Sequence, residues 1–269
     1  MVDDRRGGRG FGVAAGLEAH VVRALAPRCA ADGYRSLWSN DHPMASGLET
    51  VAEFAAAAPA LDVGVAVMPL DRHQPDGIAA AVARLELDPS RLWLGIGAGF
   101  TDRPLGVVRE GLAALRSVLP EGTSVIVAAM GPKMCALAGG QADGVFLNWM
   151  TPERAAWARE RVTDGAREAG RESPPPIFGY VRVAVGPDAA DRLLKEESFY
   201  RELHPGYKRH FATLGREPGS VGIAAADPAQ VRAELARYEP AIDHIVVRAL
   251  AHADADSLAA VADAAAPEA

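Results

Sequence analysis

The sequence predicts a (β/α)8 barrel, on three observations. Short apolar runs alternate with longer stretches of helical period along nearly the whole chain. Eight such runs can be counted. The length of 269 residues is close to the roughly 250 that a barrel of this kind uses.

The elements follow in order. The charged, Gly-rich start, 1–10, reads as a flexible tail. FGVAA at 11–15 is the first strand. A helix over 17–32 places Leu17, Val21, Val22, Leu25 and Cys29 on one face, and Gly33 ends it. RSLWS at 35–39 is the second strand, followed by a helix near 49–58. LDVGVAVM at 61–68 is the third, with a helix at 76–88. RLWLGIG at 91–97 is the fourth, with a helix at 105–119. SVIVAA at 124–129 is the fifth, and a short helix starts at Pro132. DGVFL at 143–147 is the sixth. The helix after it is capped by Thr151, carries Pro152 at its first position and closes at Gly170. IFGYVRVAV at 177–185 is the seventh. A mixed stretch, 188–240, reads as a helical insertion before the eighth strand, DHIVVR at 243–248, and a last helix at 254–265. Strands this apolar suit a parallel sheet buried on both faces. A doubly wound open sheet would also use eight strands, but no strand-turn GxGxxG is present, so the closed barrel is favoured. No linker divides the chain, and 1–269 reads as one domain.

Composition narrows the function. The net charge of −7 argues against nucleic acid and anionic membrane surfaces as partners. No apolar run approaches the 18 or so residues that span a bilayer. No apolar segment follows the charged N-terminus, so a cytoplasmic location is expected. Cys29 and Cys135 read as reduced and buried. HExxH, CxxC, Walker A and GxSxG patterns are absent, and no metal site is expected.

In a (β/α)8 barrel the chemistry lies just after the strands. Asp41-His42 follows the second: a His can shuttle a proton and a neighbouring carboxylate can orient it, although Asp is also a common helix cap. Arg72 and His73, after the third, could reach a phosphate or stay solvated. Gly97-Ala98-Gly99 ends the fourth; such glycines admit a flat ring or phosphate close to the backbone, or serve a tight turn. Ala129-Met130-Gly131-Pro132-Lys133 ends the fifth. There Gly131 caps a Pro-started helix whose free N–H groups favour an anion, and an anion would offset Lys133 in the first turn. Asn148 and Trp149 could line a pocket or cover the rim. The aromatic residues Phe199, Tyr200, His204, Tyr207, His210 and Phe211 fit a lid or an amphipathic core helix equally.

LWSNDHP, VGVAVMPLDRHQP, RLWLGIGAGF and VIVAAMGPKMCALAGGQADGVFLNW occur in that order, and ADPAQVRAELARYEPAIDHIVV closes the pattern. Together they resemble the luciferase-like oxidoreductases, in particular the coenzyme F420-dependent branch typified by methylenetetrahydromethanopterin reductase. The resemblance implies a barrel holding F420, or alternatively FMN, at its mouth. It implies hydride transfer to or from a small-molecule substrate, with His42, oriented by Asp41, handling the proton. It also implies a non-prolyl cis peptide at Ala66–Val67, with Met68 near the cofactor. Ala98 and Gly99 match the segment near the ring, and Ala129, Met130, Gly131 and Pro132 the segment holding the phosphate end. A homodimer is usual in such families. One position departs: Phe100 stands where some sugar-phosphate dehydrogenases of the branch carry an acid. An FMN-dependent monooxygenase and a non-catalytic flavin-binding protein are the alternatives.

Overall fold

In the computed structural model, which describes residues 7–268, eight parallel strands close into a barrel. They are β1 (Gly8–Val13), β2 (Ser36–Ser39), β3 (Asp62–Pro69), β4 (Leu92–Gly97), β5 (Ser124–Ala129), β6 (Gly144–Leu147), β7 (Ile177–Val185) and β9 (His244–Ala249). Consecutive strands pair from β1 to β7. β9 then closes the ring between β7 and β1. A further short strand, β8 (Ile223–Ala225), pairs only with the far end of β7, outside the ring.

The helices are α1 (Ala19–Ala31), α2 (Gly47–Ala57), α3 (Pro75–Arg84), α4 (Pro104–Val118), α5 (Pro132–Gln141), α6 (Pro152–Glu168), α7 (Ala189–Leu203), α8 (Pro205–Leu214), α9 (Pro228–Ala236) and α10 (Ala255–Ala264). Their starts follow local chemistry. Thr151 accepts the Arg154 amide at the head of α6, and Ser46 and Asp254 do the same for α2 and α10. Pro opens α3 to α6, where its missing N–H costs nothing. No helix among the described residues is long and apolar enough to cross a membrane.

Two expectations change. The tail was expected over 1–10. Residues 1–6 lie outside the described residues, but Gly8–Gly10 belong to β1, paired with His244–Val246, and Arg9 is buried. Main-chain pairing there needs no apolar side chain. The insertion contains α7, α8 and α9, and also β8, too short to stand out from its surroundings.

Two apolar layers result. The larger fills the space between strands and helices. The smaller fills the barrel itself, with Trp38, Trp93, Ile126, Phe146, Phe178, Tyr180 and Val246 in mutual contact. α5 and α6 cross at backbone contact: a Cβ on Gly139 would lie 2.1 Å from the Val162 carbonyl oxygen, and one on Gly165 2.1 Å from that of Ala136. That crossing fixes α5, whose first turn borders the mouth.

Candidate active site at the strand ends

The β3–β4 register shifts between Val65 and Met68, and the Ala66–Val67 peptide inside that bulge is cis, where the resemblance places one. Ala66 faces the barrel interior. A Cβ on Gly97 would meet Val67 Cγ1 at 3.2 Å and the Ala128 Cβ at 3.7 Å. Val67, Gly97 and Ala128 thus form a wall of small groups at the mouth. Met68 was expected near the cofactor, but its side chain is buried in the layer between strands and helices, because pairing recovers its ordinary alternation after the bulge. The Ala129 side chain is buried there too, and only its main chain borders the mouth.

Asp41 was expected to orient His42. It does not. The nearly buried carboxylate accepts from Arg72 Nη2 and from His73 Nε2, both at 2.8 Å, and from the Gly47 amide at 3.2 Å. It therefore ties the β2–α2 loop to the β3–α3 loop. Arg72 and His73 have this acid as partner. His42 lies in a tight turn, paired backbone to backbone with Ala45. Its Nδ1 accepts the Met44 amide at 3.1 Å, which leaves the proton of the neutral ring on exposed Nε2. Adjacency in sequence turned the two side chains apart, as alternation in an extended segment does.

The β4–α4 loop is held by Asp71. Its Oδ2 accepts the Phe100 amide at 2.8 Å, and its carboxyl packs on Gly99, where φ is +69°. The Phe100 ring is exposed and stacks on His204 at 4.4 Å between centroids. That contact links the β4 side of the rim to the junction of α7 and α8.

At the head of α5, Gly131 is the N-cap, and no side chain caps it. A Cβ there would meet nothing within 4 Å. The first-turn N–H groups, together with Lys133, face open space, as an anion would require.

The opposite side of the mouth holds residues that the motif reading missed. Arg182, on β7, and Arg248, on β9, are register partners and point inward with Tyr180 and Val246. Arg182 donates to Asn148 Oδ1 and lies 3.5 Å over the Trp149 ring, and Arg248 donates to Asn40 Oδ1 at 3.3 Å. Burial lowers the Arg182 pKa and raises that of the Tyr180 hydroxyl. Trp149 is packed under Tyr200 and Phe211, so α7 and α8 act as a covering layer with its own apolar core. His210 Nε2 donates to the Trp149 carbonyl at 2.6 Å and fixes that turn. A basic residue at an inward position of an otherwise apolar strand, twice, was the available signal. Among the described residues no group of three or more His, Cys, Asp or Glu side chains could hold a metal ion.

A small-walled mouth beside an uncapped helix start suits a ring bearing an anionic tail. The model of the family described as luciferase-like monooxygenase matches residues 106–264, more than half of the chain. The chain belongs to that family. A relative, the 5,10-methylenetetrahydromethanopterin reductase of Methanolobus tindarius, is 24% identical over 193 residues, covering 59% of each chain. The chain thus spans 59% of the length of that curated relative. Solved structures share the fold over nearly all of the luciferase-like barrel. An F420-dependent secondary alcohol dehydrogenase, solved with an F420-acetone adduct, aligns with TM-score 0.76 at 17% identity over 96% of each chain. The F420-dependent tetrahydromethanopterin reductase of Methanopyrus kandleri gives 0.72 at 16%, over 96% of this chain and 97% of its own. The oxygenating constituent of 3,6-diketocamphane monooxygenase from Pseudomonas putida, solved with FMN, gives 0.65 at 16%, over 96% and 98%.

Proposed function

We propose that this protein is an oxidoreductase that holds coenzyme F420 across its strand ends and exchanges a hydride with an organic substrate. The observation that carries this reading is the wall of Val67, Gly97 and Ala128 beside the uncapped start of α5. One feature admits a flat ring and the other an anionic tail, and the two are neighbours on β3, β4 and β5. Two solved proteins of the same fold that are described as F420-dependent support the choice of cofactor.

When bound, the cofactor supplies the hydride chemistry, and the protein supplies position and electrostatics. Gly131 and Lys133 hold the phosphate end through their main-chain N–H groups and the Lys133 ammonium, and Pro132, which has no N–H to donate, sets the first turn of α5. Ala98, Gly99 and the main chain of Ala129 and Met130 border the ring and its side chain. Asp71 keeps the Gly99–Phe100 turn in place. His42 presents Nε2–H at the rim and moves the proton that accompanies hydride transfer. Asp41 keeps the β2 and β3 loops in register through Arg72 and His73.

The test is a titration of the purified protein with F420, followed by the fluorescence of the deazaflavin. Saturable binding at one site per chain is expected. No binding at any concentration would overturn the reading.

A further inference from the structure

Two guanidinium groups meet at the mouth with no acid between them. Arg182 and Arg248 are register partners on neighbouring parallel strands, so their Cα atoms are about 4.8 Å apart and both side chains point inward. Arg182 is only 3% exposed. Among the described residues no carboxylate lies within ion-pair distance of either. The acid whose charge reaches Arg182 is Glu196 on α7, and Arg248 acts on Arg182 with the same sign as its own charge.

Polar groups in the same place are also left over. Tyr180 is 6% exposed, and its hydroxyl has no hydrogen-bond partner. It lies on the inward face of β7, one rung below Arg182. Arg182 Nε is likewise buried without a partner, although the guanidinium also donates to Asn148 and rests on Trp149. A buried cation without a counter-ion is costly, and so is a buried hydroxyl without a partner. One bound anion would satisfy all of these groups.

We propose that the β7–β9 side of the mouth binds a carboxylate of the substrate, with Arg182 and Arg248 as its cations and Tyr180 as a further donor. A planar carboxylate matches the guanidinium fork. Half-buried Tyr200, whose ring centroid lies 5.3 Å from the Arg182 guanidinium, gives an aromatic or extended apolar carboxylate a surface to lie against, while buried Trp149 backs Arg182 from behind. This inference rests on the reading of the strand ends as a redox site and adds the chemical class of the substrate. It places the carboxylate across the mouth from the wall at Val67 and Gly97, so the anion anchors the substrate away from the cofactor's phosphate end.

The experiment is calorimetric titration of the full chain with benzoate, benzamide and inorganic phosphate, with and without F420. Benzoate should bind saturably, with benzamide and phosphate weaker by about tenfold or more. Arg248→Met, at a half-buried position, should weaken benzoate by about tenfold, and Tyr180→Phe by about threefold, with F420 affinity unchanged in both. Equal binding of benzoate and benzamide would overturn the proposal, as would phosphate preferred over benzoate. So would variants that lose F420 affinity but keep that for benzoate, which would assign the arginines to the cofactor. If the wild type fails to bind F420 while benzoate still depends on Arg248, the cofactor reading falls and the carboxylate site stands.

Discussion

Asp41 accepts from His73, 32 residues further along the chain, and not from its neighbour His42. The acid is a strut between two loops, and the exposed histidine stands alone with Nδ1 on the Met44 amide. Asp41→Ala strands Arg72, His73 and the Gly47 amide together. It should cost about 1–3 kcal/mol of stability, read by chemical denaturation. His42→Ala should change stability by less than about 0.5 kcal/mol. It should cut turnover by about a hundredfold or more while leaving F420 affinity in place. Unchanged turnover would remove His42 from the proton step.

Gly99 is bound by conformation and by space. Its φ is +69°, and a Cβ would sit 1.9 Å from Asp71 Oδ1. Gly99→Ala should therefore lose about 1–3 kcal/mol. Adding Asp71→Ala should cost less than the sum of the two single changes, because the steric part disappears with the carboxylate. Additive losses, measured by denaturant titration of the four-member cycle, would show that Asp71 does not restrain the loop.

The start of α5 can be probed with two ligands. Lys133→Glu should weaken F420 by about tenfold, since a repulsive charge replaces an attractive one beside the phosphate. The deazaflavin chromophore that lacks the phosphate should bind wild type and variant alike. Equal loss for both ligands would move the phosphate elsewhere.

Acid should destabilise the barrel through His244. This side chain is 2% exposed, beside Ser36 Oγ at 2.7 Å, and burial pulls its pKa down from 6.5 to about 4. The folded state holds it neutral, whereas the unfolded chain takes up the proton near pH 6.5. Its contribution is fully present above about pH 6.5 and is lost as pH falls toward 4, by roughly 3 kcal/mol over that window. His244→Gln should flatten the stability profile between those values. A profile of unchanged slope would contradict the assignment.

Most strands were legible because their apolar runs are bounded by turns and helix caps: SVIVAA and IFGYVRVAV coincide with β5 and β7. β1 was read late because its opening Gly-Arg-Gly has no apolar signature. It is small where Ser36 and Trp38 fill the barrel, and a Cβ on Gly10 would lie 2.6 Å from Ser36 Oγ. The geometry of the candidate site was legible where it follows from main chain and position, as in the close packing at Gly97 and the uncapped helix start at Gly131. It was not legible where it depends on distant pairing. Nothing local in Asp41-His42 says that the carboxylate belongs to His73. Arg182 and Arg248 sit inside runs that read as strand, and only the register that pairs them makes them one feature.

The central claim, an F420 site across the strand ends, is tested most directly by equilibrium dialysis of the purified protein against F420 and FMN in competition. Retention of F420, with FMN held about tenfold more weakly or worse, is the expected result. Tight retention of FMN with F420 excluded would contradict it and make the protein a flavin-dependent member of the same family.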